Sequence, residues 1–456
     1  MGVRKNAAKA SPKKISTTLK YLFDMDGNGG SPFDHGRQVS ESEEVLSIIS
    51  YCTFVFTFIN PNESPSQQDL KRLKLVQLLS IVKTWKIPPG DQILKPLMEM
   101  IAANLFRPLP PPSFCVTISD LLDDEDPTSS PSPQWSHLQL VYDILLRIVL
   151  NMDPKILKGY IDQPFLSNLL SLFQSEDPRE CESLKNVYHK IYSRFTFHRA
   201  FMRKSMNDVF LRFAFETERH CGIADLLEIW GSIINGFTLP LKEEHKVFLM
   251  KVLIPLHRPK SMQVYHRQLT YCVSQFVQKE PALGGAVLRG ILKYWPMSNC
   301  QKEVLFIREL EELVDNVDPE QYKKVAVPIC TQITKCFNSW NSQVAERALY
   351  IWNNEAFVQM ASQAIEEVFA VVIGGMEKNL SWHWSRSVRQ LTENVKEMLV
   401  EMEPVLYAKC LQELEAKESA DHHEEIKRQE RWERIEMQAA KNQFLRSRSI
   451  CVVSHS

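Results

Sequence analysis

Apolar residues recur every three to four positions along nearly the whole chain from about residue 41 to 415, the spacing of amphipathic α-helices. Examples are "DLKRLKLVQLLSIVKTW", "HLQLVYDILLRIVL" and "EVLFIRELEELV". Short breaks that contain proline, glycine, aspartate or asparagine, such as "SEDPRE", separate these segments. Because helices joined by short turns run antiparallel, the pattern predicts a series of antiparallel helix pairs.

The helix pairs recur at about 40 residues, which is the period of HEAT and armadillo repeats. With 456 residues, the chain is also longer than the ~250 to 300 residues that one hydrophobic core supports. Glycine contributes 15 residues, about half of its usual share, and few strands are expected. We therefore predict an all-α fold, a superhelical solenoid of HEAT-like antiparallel helix pairs.

Three segments depart from the helical pattern. Residues 1–40 mix lysine, serine, glycine and proline and predict a flexible basic N-terminal arm. Inside the repeat domain of residues 41–415, the segment 107–135 predicts a loop with the acidic centre "DLLDDEDP". Residues 416–456 are mostly charged without an apolar stripe, which predicts a solvated helix followed by a disordered tail.

Charge and cysteine usage limit the class of protein. The 54 basic and 55 acidic residues nearly cancel, so no global field attracts nucleic acid or a membrane. The ten cysteines are scattered without a C-x-x-C pair, which predicts a reduced intracellular protein, cytoplasmic, nuclear or both. The longest apolar runs are shorter than the ~18 residues of a membrane span, so no membrane insertion is predicted.

The sequence offers little catalytic chemistry. It has no G-x-S-x-G, H-E-x-x-H, kinase or dinucleotide motif, and we predict that the chain is not an enzyme and needs no cofactor. The segment "DMDGNGG" begins like a calcium loop at Asp24, but His35 stands where that loop requires glutamate. The adjacent His422 and His423 of the charged helix point in different directions. No metal site is predicted.

One segment, residues 188–213, is locally basic in this balanced chain. It contains one acid, Asp208, two histidines, several aromatic residues and six cations, namely Lys190, Arg194, Arg199, Arg203, Lys204 and Arg212. Three interpretations remain open at this point. The cations form the solvated faces of two amphipathic helices, bind an anionic peptide, or bind nucleic acid through phosphate contacts and stacking.

The next segment, "GIADLLEIWGSIINGFTLPLKEEHKVF", predicts a helix, a turn and a second helix. On a helical wheel its apolar face spans ~160°, against the ~100° that one packed face needs. Ile229 and Ile233 lie one turn apart at the edge of this face. They are either apolar sockets open on a groove or residues buried against the adjacent repeat. With the basic segment before them, they suggest a groove for a peptide with two apolar anchors and an acid.

Several segments resemble, in the same order, the B-prime family of regulatory subunits of protein phosphatase 2A. They are "HLQLVYDILLR", "GYIDQPFLSNLLSLFQSEDPRE", "FETERHCGIADLLEIWGSIINGFTLPLKEEHK", "ILKYWP" and "VAERALYIWNNE". The similarity extends over roughly residues 41–415. It implies a HEAT-like solenoid that joins a scaffold subunit and a catalytic subunit and recruits substrates that carry a Leu-x-x-Ile-x-Glu motif.

The resemblance also implies a set of motif-binding residues, which we call the motif groove. They are His189, Lys190, Tyr192 and Arg199 of the first helix, Glu228, Ile229 and Ile233 of the second, and Lys242 and His245 of the third. Ile229 and Ile233 are expected to face the apolar residues of the motif, and Arg199 and Lys242 its acid or phosphate. Lys190 stands where the family usually has arginine, which keeps the charge but loses the planar fork.

The acidic loop matches a family loop that lies near the catalytic subunit's active face. Its acids are Asp123, Asp124, Glu125 and Asp126. Taken without the resemblance, the same loop predicts a solvated linker. The resemblance thus favours a non-catalytic targeting subunit without nucleic-acid binding, and a helical-repeat protein that binds nucleic acid through residues 188–213 is the alternative.

Overall fold

The computed structural model describes residues 41–56, 58, 64–85, 89–109, 134–296 and 298–452. In this part of the chain, every regular element is a helix, so the predicted all-α class is confirmed. The basic N-terminal arm, the "DMDGNGG" segment and the acids Asp123 to Asp126 lie outside the described residues.

Nineteen α-helices are present among the described residues. They are α1 (Glu41–Thr53), α2 (Pro65–Thr84), α3 (Asp91–Leu105), α4 (Trp135–Asn151), α5 (Pro154–Leu157), α6 (Gln163–Ser171), α7 (Pro178–Arg194), α8 (Arg199–Arg212), α9 (Ile223–Asn235), α10 (Glu243–Phe248), α11 (His266–Lys279), α12 (Gly284–Lys293), α13 (Cys300–Val314), α14 (Tyr322–Phe337), α15 (Ser342–Tyr350), α16 (Glu355–Ser362), α17 (Ile365–Trp382), α18 (Arg386–Met402) and α19 (Pro404–Val452). Irregular helical turns at Leu249–Leu253 and Ile254–His257 continue α10.

The helices form two layers. In the first layer each helix packs against the next, in the order α2, α4, α7, α9, α11, α13, α15 and α18. In the second layer α1 packs on α3, α6 on α8, and α12, α14, α17 and α19 follow one another. The turns at 249–257 connect α8 to α12 within this layer. Successive helix pairs therefore stack side by side, as the repeat prediction requires.

The connections after α7, α9, α14 and α17 are short, so the helices they join run antiparallel and the turns alternate between two edges of the stack. The chain crosses from the first layer to the second after α7 and after α9. It crosses from the second layer to the first after α14 and after α17. The turns of these two kinds consequently lie on opposite edges.

The predicted helix breaks coincide with N-terminal caps. In "SEDPRE", the Asp177 carboxylate accepts a hydrogen bond of 3.0 Å from the Arg179 backbone N–H, and Pro178 opens α7. Asp162, Asn341 and Ser385 cap α6, α15 and α18 in the same way. A side-chain oxygen satisfies a backbone N–H that has no partner inside the helix, and this fixes where each helix starts.

A buried polar cluster connects three successive segments of the stack. Glu309 of α13 is fully buried, and its carboxylate contacts Nε2 of His257 at 3.0 Å and Nε2 of His266 at 2.9 Å. Burial alone raises the pKa of the Glu309 carboxyl, but the two imidazoles outweigh it and bring the pKa to about 2. The cluster thus ties the turn at 254–257 and α11 to α13.

The last helix is longer than the sequence indicated. α19 extends through the serine- and arginine-rich segment to Val452, where a tail was predicted. After Pro404 the sequence contains no proline or glycine that would end a helix. Ion pairs one turn apart, such as Lys427 with Glu424 at 3.2 Å, add support along its exposed part.

The described residues offer neither a metal-ion cluster nor a single membrane-spanning helix. No group of three or more of their histidine, cysteine, aspartate or glutamate side chains is placed to hold a metal ion. None of their helices alone is long and apolar enough to cross a membrane, and α16 with α17 passes that test only as a pair bent by 114°.

Candidate functional site

Tyr192, one of the predicted groove residues, lies near the end of α7 and contacts two arginines of α8. The Arg199 guanidinium lies 5.4 Å from the centre of the Tyr192 ring and donates through Nε to the Tyr192 carbonyl at 3.0 Å. On the next turn of α8, Nη1 of Arg203 donates to the Tyr192 hydroxyl at 3.1 Å. The turn Phe195–Arg199 thus places two guanidinium groups on one half-buried tyrosine.

His245 joins this cluster from α10. Its ring is stacked on Phe237, with the ring centres 3.7 Å apart and the planes inclined by 3°. Burial lowers the pKa of His245; Glu244 opposes this shift, and the positive charges of Arg203 and Lys242 add to it. His245 is therefore close to the α8 cation, and its buried Nδ1 has no hydrogen-bond partner in the described part of the chain.

The first part of the groove, on α7, is the more open one. Lys190 is exposed and makes no ion pair with any described residue. His189 is half-buried, and burial together with the Lys190 charge lowers the pKa of its imidazole. Lys242, at the start of α10, is also exposed. The groove therefore offers two exposed ammonium groups to an anion.

Ile229 and Ile233 are buried in α9, with exposed fractions of 2% and 5%. The sequence allowed either open sockets or burial against adjacent repeats. In the free chain, both isoleucines are buried against adjacent repeats. The wide apolar face of α9 has a structural cause, because this helix packs against α7 on one side and α11 on the other. Only the edges of these two side chains reach the surface.

Glu228 is exposed, but other side chains occupy its carboxylate. Lys185 Nζ lies 2.6 Å from one oxygen, and Gln268 Nε2 donates to the other at 3.2 Å. Burial alone raises the pKa of the Glu228 carboxyl, but Lys185 and Gln268 lower it overall. Lys185 also pairs with Glu182 and Asp225. Glu228 therefore bridges α7 and α11 across α9 instead of standing free.

The basic segment does not form one continuous cationic surface. Arg194 donates to the Val149 carbonyl of α4, while Arg199 and Arg203 bind Tyr192. Arg212 lies 3.8 Å from a carboxylate oxygen of Glu216, so protein atoms engage four of the six cations, and the aromatic Phe195 is fully buried. Phosphate tracking by a nucleic-acid groove needs a row of free cations.

The family model of the protein phosphatase 2A regulatory B subunit, B56 family, matches residues 32–439 of the chain. The chain belongs to this family. It is 44% identical to the B' beta isoform of the 57 kDa regulatory subunit of phosphatase 2A from Arabidopsis thaliana, over 88% of this chain and 81% of that protein. It is 41% identical to the B' theta isoform of the same plant, over 94% and 89%. The B' kappa isoform of Oryza sativa subsp. japonica is 41% identical, over 90% and 82%.

The resemblance inferred from the sequence is confirmed by these matches. The related proteins are named as regulatory subunits of a phosphatase, which supports the prediction of a regulatory chain that is not itself the enzyme. The roles of individual groove residues stay predictions.

Sequence reasoning missed two residues that contact predicted groove residues, Arg203 beside Tyr192 and Phe237 beside His245. Arg203 was part of the basic segment, and its position one turn after Arg199 is a signal that both face the same way. Phe237 lies two residues after the end of α9. Its stacking on His245 depends on the turn between α9 and α10, which periodicity does not describe.

Proposed function

We propose that this B56 chain is a targeting subunit that assembles with the scaffold and catalytic subunits of protein phosphatase 2A. It recruits substrates through a Leu-x-x-Ile-x-Glu motif that binds in the motif groove. Binding raises the substrate's effective concentration near the phosphatase, so dephosphorylation becomes selective without any catalytic group on this chain.

The observation that supports motif binding most strongly is the double contact of Arg199 and Arg203 with Tyr192, beside His245. The contacts hold both guanidinium groups in place before a ligand arrives, which lowers the entropy cost of binding. A glutamate or a phosphate of the motif accepts hydrogen bonds from the remaining N–H groups of the two arginines. Lys190 and Lys242 at the rim add long-range attraction for an acidic peptide.

The apolar residues of the motif need a different explanation, because Ile229 and Ile233 are nearly covered. The leucine and isoleucine of the motif pack on the edges of these side chains and on the half-buried Phe237. Because the two isoleucines are buried, the apolar surface that they form under the peptide is rigid. A rigid surface favours a peptide whose two apolar residues have a fixed spacing over an apolar ligand of any shape.

Assembly with the catalytic subunit is proposed to involve the acidic loop with Asp123, Asp124, Glu125 and Asp126. Reversing the charge at Asp124 and Asp126 alters catalytic-subunit association or turnover and leaves peptide binding unchanged. Equal holoenzyme yield and equal turnover in the reversed variant would remove this role.

The proposed location is the cytoplasm, the nucleus or both, where the phosphatase core and its substrates meet. Fluorescence of a tagged full chain tests this directly. A tagged chain confined to a secretory compartment would contradict it.

Reconstitution tests the proposed function as a whole. The full chain is mixed with purified scaffold and catalytic subunits and separated by size exclusion, and the ternary complex is then titrated with a Leu-x-x-Ile-x-Glu peptide. We expect one complex that contains all three chains and binds the peptide at one site. Failure to form the complex, or binding equal to that of a peptide with the leucine, isoleucine and glutamate replaced by alanine, would overturn the proposal.

A further inference from the structure

Three tryptophans project from the edge of the stack opposite to the turns of the motif groove. The side chains of Trp340, Trp382 and Trp384 have exposed fractions of 78%, 79% and 59%. They lie where α14 passes to α15 and where α17 passes to α18, at crossings from the second layer to the first. We call them the tryptophan ridge.

Hydrogen bonds between the two turns fix the ridge. Nε1 of Trp384 donates to the Trp340 carbonyl at 3.0 Å, and Nε2 of the buried His383 contacts the Ser339 carbonyl at 3.0 Å. Arg389 donates to the His383 carbonyl at 2.6 Å. The Trp384 indole and the backbone of both turns are thus held in place, so less conformational entropy is lost when a ligand covers the ridge.

Below the ridge, α14 and α17 are in close contact at a glycine. Gly375 of α17 faces Thr334 and Phe337 of α14, and a Cβ at this glycine would overlap the Thr334 side chain. The close approach of the two helices brings their C-terminal ends together. Trp340 and Trp382 therefore belong to one surface.

An open cleft of about 550 Å³ adjoins Trp340. It lies between the start of α13 and the end of α14, and Cys300, Glu303, Gln332 and Lys335 line it. An apolar ring or proline can enter beside the Trp340 indole, while the amide and ammonium groups offer donors to a peptide backbone or carboxylate.

The surroundings of the ridge are cationic, although the whole chain is nearly neutral. Neither residues 321–345 nor residues 378–392 contain a single aspartate or glutamate. Lys335, Lys378 and Arg386 are exposed, and none of them makes an ion pair with another described residue. Lys378 lies one turn before Trp382, and Arg386 lies two residues after Trp384. Positive charge therefore flanks the indoles.

Exposed tryptophans in a rigid cluster are unusual on a surface that stays in water. Each indole buries ~150 to 250 Å² when it is covered, and tryptophan is among the residues that contribute most at protein interfaces. Free cations around an apolar centre match a partner with an apolar centre and an acidic border.

We propose that the tryptophan ridge and its cleft form a second docking site, which binds an acidic peptide segment with a proline, leucine or aromatic anchor. The anchor enters the cleft against Trp340, the exposed Trp382 extends the apolar surface, and the acids of the segment pair with Lys335, Lys378 and Arg386. This site goes beyond the proposed function, because it lies on other repeats and on the opposite edge from the groove turns. A substrate bound at both sites gains affinity through effective concentration.

A protein segment fits this site better than nucleic acid. Single-stranded nucleic acid also stacks on aromatic rings, but it brings a phosphate for every base. The Glu303 carboxylate lines the cleft and repels phosphates at that point. An acidic peptide can place its anchor in the cleft and keep its carboxylates on the cationic rim.

The test uses the full chain and a phage-displayed library of random 12-residue peptides. Selected peptides are synthesised with a fluorescein label, and their affinity is measured by fluorescence anisotropy. We expect enrichment of acidic peptides that carry proline, leucine or an aromatic residue, and affinity at least tenfold weaker for the W340A/W382A variant. Because both side chains are exposed, this variant is expected to fold, which circular dichroism verifies.

The controls use residues of the same kind at other places. Trp432→Ala removes an indole that is 61% exposed on α19, and Lys83→Glu reverses an exposed lysine on α2. Neither should change peptide affinity, whereas Lys335→Glu with Arg386→Glu should weaken it at least tenfold. A Leu-x-x-Ile-x-Glu peptide should bind all ridge variants like the original chain, so that a failure here is separable from a failure of the motif groove.

Three outcomes would overturn the proposal. The first is a selection without any peptide whose binding depends on the tryptophan ridge. The second is binding of a labelled 20-residue oligothymidine that W340A/W382A abolishes while acidic peptides do not bind. The third is ridge-dependent binding to phosphatidylserine vesicles without peptide binding, which would assign the ridge to a lipid surface.

Discussion

Arg203 donates a hydrogen bond from Nη1 to the hydroxyl of Tyr192 at 3.1 Å, across the turn between α7 and α8. The tyrosine contacts a second guanidinium, that of Arg199, through its ring and its carbonyl. The two arginines therefore have fixed directions in the free chain. This arrangement makes Arg203 as important for the proposed groove as the residues that the sequence indicated.

Replacing Arg203 by glutamine should weaken binding of a Leu-x-x-Ile-x-Glu peptide about tenfold or more. The change removes a charged donor near the expected carboxylate, and hydrogen bonds to charged groups contribute roughly 1.5 to 3 kcal/mol. Isothermal titration calorimetry measures the effect. Lys204→Gln, at the exposed neighbouring position, is the matched control and should change affinity little. Equal losses in both variants would mean that only the general charge of α8 matters.

Lys190 offers a test of hydrogen-bond geometry. Because an arginine can hold a carboxylate with two parallel N–H bonds, Lys190→Arg should strengthen binding of an acidic or phosphorylated motif by about 0.5 to 1.5 kcal/mol. Lys190→Glu should nearly abolish binding through repulsion. Calorimetry with a matched neutral peptide gives the baseline. If neither substitution changes affinity, the groove does not extend to this part of α7.

Ile233 provides a test of the buried apolar surface. Since its side chain is only 5% exposed, Ile233→Ala should lower the free energy of unfolding by about 2 to 5 kcal/mol, and Ile233→Val by about 0.5 to 1.5 kcal/mol. Urea denaturation followed by circular dichroism measures both. Ile233→Val should retain peptide binding within a few-fold. If Ile233→Ala had nearly the same free energy of unfolding as the original chain, Ile233 would lie in an open socket and not in the core.

The buried Glu309 cluster predicts a pH-dependent difference in stability. Its carboxyl has a folded-state pKa of about 2, below the ordinary ~4.3. The contribution of this group is therefore complete above pH ~4.3 and is lost as the pH falls toward 2. Glu309→Gln should cost at least about 1.5 kcal/mol near pH 7. The difference in the free energy of unfolding between Glu309→Gln and the original chain should become smaller below pH ~4.3.

Urea unfolding at pH 7, 5 and 3.5 measures this gap. Glu312→Gln changes an exposed glutamate on the same helix and should have little effect at any of these pH values. A gap that stays the same at pH 7 and pH 3.5 would show that the ionised carboxylate of Glu309 does not stabilise the fold.

The helical stack could be predicted because each helix carries its own periodic pattern and its own break. Asp177 and Pro178 illustrate this, since the same two residues that ended the apolar pattern cap and open α7. The length of α19 was harder to predict. Polar composition suggested a tail, whereas nothing in the sequence after Pro404 interrupts a helix.

Contacts between repeats could not be predicted from the sequence. Lys185 and Glu228 are 43 positions apart and meet only because α7 and α9 are neighbours in the first layer. The width of the apolar face of α9 was visible, but its cause was ambiguous. A helix that packs between two neighbours of the same layer needs a wide apolar face. A helix that lines a ligand groove would show the same apolar pattern around Ile229 and Ile233.

The most direct measurement of the central claim compares two phosphorylated substrates in the reconstituted three-chain complex. One substrate carries a Leu-x-x-Ile-x-Glu motif beside its phosphoserine, and the other carries alanines at the three motif positions. With the original chain, kcat/KM should be at least tenfold higher for the motif substrate, and Arg203→Gln should remove most of this advantage while the alanine substrate is unaffected. Equal kcat/KM for the two substrates with the original chain would contradict the account.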